Sequence, residues 1–238
     1  MLVSASLLHP LLVAGTPEPL RHAGLSGTVY GVLANDPALI AALGDAVNQP
    51  PYKAPPRAPV MFLKPRNTLA PSGQRVVLPS GEAGFEIGAC LGLVVGRTAC
   101  RVSPEAALGH VAGFVAVADL SLPHASYYRP SLRFKARDGS CVIGTRPTAR
   151  GAVDPDALSV RVQVDGQPAQ DATTAGRTRG AAQLLSDVSA FITLRPGDVL
   201  LLGASHGAPL VRAGQRFVVE IEGLEPLEGE VVGPEEGA

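Results

Sequence analysis

The sequence predicts a mainly β domain with a few helices at its periphery, and three observations carry that expectation. Short apolar runs rich in β-branched residues recur along the chain, several with period-two alternation. Helical periodicity is confined to a few stretches. The 27 glycines and 22 prolines are dispersed between the runs, which marks many turns and not a disordered tract.

Taken in order, the chain begins with MLVSASLLHPLLVAG. This is apolar, but no Lys or Arg precedes it, His9-Pro10 interrupts it, and the first arginine is Arg21. A secretory signal wants a basic region ahead of its apolar stretch, and no run reaches the ~18 residues of a membrane span. Residues 1–26 are therefore expected to form an N-terminal arm or extra strand on a single domain of residues 27–238. One domain is also what 238 residues predict.

TVYGVLA (28–34), PVMFLK (59–64) and RVVLP (75–79) read as strands, the last two separated by the turn-rich NTLAPSGQ. ACLGLVVG (89–96) is apolar and β-branched, and HVAGFVAVADL (110–120) is similar. LSVRVQVDG (158–166) alternates cleanly into an Asp-Gly turn, and GDVLLLG (197–203) and RFVVEIEGL (216–224) complete the set. Asn35-Asp36-Pro37 caps a helix with proline in its first turn, and Ser103-Pro104-Glu105 opens a short one by the same logic. In RGAAQLLSDVSAFITL, Leu184, Leu185, Val188, Phe191 and Ile192 make an apolar helical stripe expected to face the core.

Charge and composition exclude several function classes. A net charge of −1 and a pI near 6.5 argue against nucleic-acid binding. The absence of Trp, with aromatics at 4%, argues against stacking platforms for single strands. Cys90, Cys100 and Cys141 are odd in number and none sits in a C-x-x-C pair, which disfavours a disulfide framework and a zinc site. A reducing cytoplasm is the expected location.

Chemistry is concentrated in YYRPSLRFKARDG (127–139), which puts Arg129, Arg133, Lys135 and Arg137 into nine residues. If the segment is extended, Arg133, Lys135 and Arg137 share one face and repel unless an anion neutralises them. Arg offers a fork to a carboxylate and Lys a point charge to an enolate or oxyanion. From the residues alone this is either an anion site or a solvated edge strand whose charges deter aggregation. Asp119, ending an apolar strand, is either a catalytic carboxylate or the Asx turn that closes the strand. No phosphate-cradling glycine pattern and no G-x-S-x-G is present, and His206 in ASHGA reads as an incidental loop histidine.

Several stretches in register resemble the fumarylacetoacetate hydrolase family: PYKAPPRAPVMFLKPRNTL (51–69), LGLVVGRTACRVSPEAALGHVAGFVAVADLSLP (91–123), YYRPSLRFKARDG, AAQLLSDVSAFITLRPGDVLLLG (181–203) and the closing RFVVEIEGLEPLEGEVV. Within that family they are similar to the amino-terminal half of its two-half decarboxylase/isomerases. The resemblance implies a twisted, barrel-like core of mixed sheets and, usually, a dimer. It implies decarboxylation of 5-oxopent-3-ene-1,2,5-tricarboxylate and isomerisation of 2-hydroxyhepta-2,4-diene-1,7-dioate. It also implies a small polycarboxylate substrate met by Tyr127, Arg129, Arg137 and Asp138, with Lys135 and Asp119 as catalytic groups.

Active members hold Mg²⁺ or Mn²⁺ on a Glu-x-Glu pair and an Asp, a hard-oxygen set that leaves room for a chelating 2-oxo acid. Here the two glutamate positions fall on Gly88 and Cys90, and only Asp119 matches. Glu86, one strand step upstream, is expected to reach inward only through a register shift. The family's His and Glu dyad falls on Leu39 and Ala42, and its Gly-Thr-Pro loop on Gly203-Ala204-Ser205. The expectation is a chain that binds no metal alone. Its partner would be a homologous Mg- or Mn-binding subunit or a second copy of itself, with no nucleic acid or membrane involved. The other reading is a catalytically silent carboxylate-binding or scaffold homologue.

Overall fold

The structure, a computed structural model, describes residues 20, 25, 28–124 and 132–235. The expected arm of residues 1–26 lies outside the described residues except for Leu20 and Leu25, both buried. Among the described residues no helix is long and apolar enough to cross a membrane, which says nothing of β-barrels.

In chain order the elements are β1 (Val29–Leu33), α1 (Pro37–Leu43), β2 (Val60–Lys64), β3 (Leu69–Pro71), β4 (Arg75–Val77), β5 (Phe85–Val95), α2 (Pro104–Ala107), β6 (Val111–Ser121) and α3 (Leu132–Lys135). Then follow β7 (Cys141–Ile143), β8 (Thr148–Ala149), β9 (Ser159–Val164), β10 (Gln167–Thr173), α4 (Ala181–Ser189), β11 (Val199–Leu201), β12 (Leu210–Val211), β13 (Arg216–Ile221) and β14 (Leu227–Val232). They form a larger sheet ordered β2-β1-β11-β5-β6-β7-β3, with β12 on β5 and β8 on β6, and a smaller one ordered β10-β9-β13-β14-β4. β1–β11, β3–β7 and β4–β14 run parallel and the other pairs antiparallel. The larger sheet curls into a half-barrel, so the expected mainly β architecture of mixed sheets with few helices is what the chain forms.

The sequence explains why β5 and β6 lie at the centre. Both are 11 residues long and pair from Glu86↔Ser121 to Val95↔Val111, with a bulge at Ala112. On one face Phe85, Ile87, Ala89, Leu91 and Leu93 join Phe114, Ala116, Ala118 and Leu120 against the smaller sheet and helix α4. On the other, Cys90 and Val94 join Val115, Val117, Cys141, Ile143, Val199 and Leu201 in a second cluster closed by Leu20 and Leu25. Strands buried on both faces read as unbroken apolar runs, which is how these two read.

Three local expectations change. NTLAPSGQ is not all turn, since Leu69–Pro71 within it forms β3 and pairs with β7. The stripe of α4 stops short: Leu184, Leu185 and Val188 are buried, but the helix ends at Ser189 and Phe191 is 64% exposed. The cationic segment is not extended where it is described. Leu132–Lys135 forms a helical turn closed by Ala136 N–H donating to the Leu132 carbonyl at 2.8 Å. The turn separates charges that an extended strand would crowd, sending Arg133 out to solvent, 70% exposed, and Lys135 inward.

Candidate active-site cavity

A cavity of about 190 Å³ opens at one end of the second β5–β6 face. Its floor is Glu86, Gly88, Asp119 and Ser121, with Lys135 beside them. The pleat explains the set: Gly88 pairs with Asp119 and Glu86 with Ser121, and residues two apart share a face. Glu86 thus reaches the cavity in the register observed, and no register shift is needed. Positions 86 and 88 differ by one full strand period, so both fall on the cavity face.

Asp119 is buried between two lysines. Lys64 Nζ lies 2.7 Å from Oδ1 and Lys135 Nζ 2.6 Å from Oδ2. Burial alone would raise the Asp119 carboxyl, but the charges and hydrogen bonds of Lys135 and Lys64 outweigh it and hold the group below the usual carboxylate range. Lys64 ends β2 and is 1% exposed. Its ammonium also donates to the carbonyls of Lys135 (2.6 Å), Leu120 (3.1 Å) and Ser140 (3.3 Å) and to Ser140 Oγ (3.2 Å). Lys135 Nζ donates to Ser121 Oγ at 2.8 Å and stands 4.4 Å above the Phe62 ring. The carboxylate is therefore neutralised from both sides, and Lys135 presents a fixed cation to the cavity.

The remaining wall is made by Val32, Leu39, Asp36, His124 and the loop from Ala204 to Ala208. Leu39, where the resemblance implies a histidine, lines the cavity, and Ala42 is exposed on α1. Glu86 is half-buried, and burial raises its carboxyl, with Lys135 opposing. His124 stacks on Phe134 with ring centres 5.4 Å apart.

Of the residues expected at the site, Asp119 and Lys135 are brought together. Arg137 and Asp138 are not: they line a separate, wider hollow with Arg75 and Gln74, and Asn67 Nδ2 donates to Asp138 Oδ1 at 2.6 Å. Tyr127 and Arg129 lie outside the described residues. Lys64, Ser121, Asp36 and His124 escaped the sequence reading. For Lys64 a signal existed, because Phe62 and Lys64 share a face of an apolar strand and the lysine sits where a core residue belongs.

Gly88 and Cys90 stand where the resemblance implies two glutamate ligands for a divalent ion. A Cβ on Gly88 would come 2.9 Å from the Asp119 carbonyl oxygen and 3.3 Å from the Ala204 Cβ, so a side chain there needs the backbone to shift. Burial pushes the Cys90 thiol up to about 12, which leaves it a neutral thiol and no ligand for a hard cation. Glu86 is diagonal to Asp119 across the ladder, typically about 7–8 Å between such positions. Among the described residues no three His, Cys, Asp or Glu side chains converge.

A half-barrel of mixed sheets with a buried acid–lysine cavity at the end of its central ribbon defines a class, and comparison with known proteins identifies it. The family described as "Fumarylacetoacetate (FAA) hydrolase C-terminal" matches residues 28–232. The chain belongs to the fumarylacetoacetate hydrolase family. It is 41% identical over 208 residues to the 4-hydroxyphenylacetate degradation bifunctional isomerase/decarboxylase of Escherichia coli, covering 87% of this chain and 48% of that protein. A Salmonella dublin protein of the same description is 40% identical over 214 residues, 90% of this chain and 49% of that one. The chain thus spans about half the length of these curated relatives. Among solved structures, 2-hydroxyhepta-2,4-diene-1,7-dioate isomerase from Mycobacterium marinum superposes with a TM-score of 0.72 at 25% identity, covering 87% of this chain and 76% of that one. Fumarylpyruvate hydrolase from Pseudomonas aeruginosa, in complex with Mn²⁺ and pyruvate, does so with a TM-score of 0.69 at 25% identity, covering 86% and 88%.

Proposed function

We propose that the chain is a cytoplasmic subunit of a 5-oxopent-3-ene-1,2,5-tricarboxylate decarboxylase / 2-hydroxyhepta-2,4-diene-1,7-dioate isomerase, paired with a homologous subunit that holds Mg²⁺ or Mn²⁺. The observation that carries this reading is the 41% identity to the bifunctional isomerase/decarboxylase over half that protein's length. The lysine-neutralised Asp119 supports the division of labour, because a hard divalent ion favours several carboxylate oxygens and, of the three carboxylates lining this cavity, Asp119 and Asp36 are already paired with cations.

In this reading the chain's own residues bind and orient. Lys135 presents its ammonium to a substrate carboxylate or a developing oxyanion, and Asp119 and Ser121 fix where that charge stands. Arg137, Asp138, Tyr127 and Arg129 serve the same polycarboxylate or the partner's face, away from Asp119 in the case of the first two. The test is co-expression with the homologous subunit: a hetero-oligomer that turns the substrate over, from an isolated chain that does not, is expected. Full Mg²⁺-dependent turnover by the isolated chain overturns the assignment.

A second reading, a catalytically silent carboxylate-binding or scaffold homologue, draws support from the absence of a converging metal-donor set among the described residues. Calorimetry with small dicarboxylates in chelator separates its two forms. Micromolar binding marks a binding protein, and no heat marks a scaffold.

A further inference from the structure

Asp36 lines the cavity, and its carboxylate unopposed would repel the anion that Lys135 attracts. It is not unopposed. Arg177, whose side chain is 3% exposed, places NH1 3.2 Å from Asp36 Oδ2. The same guanidinium donates to Ser205 Oγ at 2.7 Å, the Thr173 carbonyl at 3.0 Å and the Ala204 carbonyl at 3.5 Å. Asp36 Oδ1 caps α1 at the Ala38 N–H, 2.9 Å, and Oδ2 accepts the His206 N–H at 2.8 Å. One buried cation therefore ties the start of α1 to the loop that forms the cavity's wall. Its own segment is pinned by Asn35, which donates to the carbonyls of Arg179 (2.9 Å) and Leu202 (2.8 Å) and accepts from Arg179 N–H (2.9 Å). Burial would raise the Asp36 carboxyl, but the His206 and Ala38 amides and the Arg177 charge together hold it below the usual range.

We infer that Arg177 is a positioning residue for the cavity: it fixes the wall from Ala204 to His206 and cancels the charge of Asp36, so that Lys135 faces an anion without a competing carboxylate. The charge part rests on the carboxylate-binding role proposed for the cavity, and the wall part does not. With Asp36 paired, the fixed charges around the cavity are Lys64 and Lys135 against Asp119, with Glu86, His124 and His206 as the other titratable groups nearby.

The test compares wild type, Arg177→Met, Arg177→Lys, Asp36→Asn and the Asp36→Asn/Arg177→Met double variant by succinate calorimetry and by amide hydrogen exchange over residues 203–208. Arg177→Met is expected to speed exchange of the Ala204–His206 amides and to weaken succinate about tenfold, the order expected for one uncompensated charge several ångströms away. Adding Asp36→Asn should restore affinity while exchange stays fast, a rescue that a purely structural loss would not give. Arg177→Lys, which keeps the charge but not the fork, should hold affinity near wild type with intermediate exchange. Unchanged exchange and affinity in Arg177→Met overturn the inference. A double variant binding as weakly as Arg177→Met overturns the charge cancellation. If wild type binds no succinate, the carboxylate-binding role fails, and exchange alone still decides whether Arg177 holds the wall.

Discussion

The two faces of the β5–β6 ribbon share one backbone and one register, yet they are built on different terms. On the face toward the smaller sheet every inward position from Phe85 to Val95 is apolar and buried. On the other face the ribbon begins with Glu86, Gly88, Asp119 and Ser121 and turns apolar only from Cys90 and Val117 onward. The first face is held by packing alone. The second buries three charges at its end, and these are tolerable only because Asp119 has a lysine on each oxygen. The difference teaches that the polar end gains chemistry at a cost in stability that apolar packing would not incur.

The largest effect should come from splitting the charge cluster. Asp119→Ala strands two buried ammoniums and is expected to lower unfolding free energy by about 3–5 kcal/mol in urea denaturation. Leu91→Ala on the apolar face should cost about 2–5 kcal/mol by cavity formation. The comparison sharpens with Lys64→Met/Asp119→Leu/Lys135→Met, which removes all three charges together. Near-wild-type stability of that variant is expected, and a loss as large as that of Asp119→Ala would break the contrast between the faces.

A smaller effect lies in pH. The Asp119 carboxyl is held below its ordinary value of 3.8, so its contribution is full above that value and is lost as pH falls through the folded pKa. Glu86 behaves oppositely. Its pKa is raised above the ordinary 4.5, so the folded state binds the proton more tightly, and stability falls as pH rises from 4.5 through the raised value. Glu86→Gln should abolish that decline and leave the acid limb intact, as read from urea midpoints across pH.

How far this contrast was legible follows from which residues carry it. The apolar strands announced themselves, because ACLGLVVG and HVAGFVAVADL are runs of mostly apolar residues, although burial on both faces became visible only in the sheet. Asp119 stood out as a lone acid ending one of them, and Lys135 as part of a cationic run. The pairing of Asp119 with Lys64 was not legible, since the lysine is 55 residues from Asp119 in sequence and four strands away in the order β2-β1-β11-β5-β6, so that only the curl of the sheet brings it near. The four-residue helix α3 is too short to show periodicity, so an extended reading prevailed there. Arg177 and Asp36 meet through loops, where no periodic pattern exists to reveal a partner.

The smallest expected effect concerns thiols at the same polar–apolar boundary. Burial pushes Cys90 and Cys141 up to about 12, whereas Cys100 is exposed. A thiol reagent at pH 8 should label Cys100 in the native protein and the other two only after unfolding. Rapid native labelling of Cys90 would show that the second face is not closed.

The most direct test of the central claim, that lysines and not a metal ion neutralise Asp119 in this chain, is a Mn²⁺ titration of the isolated protein followed by electron paramagnetic resonance, with Asp119→Asn alongside. Binding no tighter than roughly millimolar, and equal in both proteins, is the expected result for a cavity whose Asp119 and Asp36 are already paired with cations, leaving Glu86 as its remaining carboxylate. A stoichiometric, micromolar site that Asp119→Asn abolishes would contradict it.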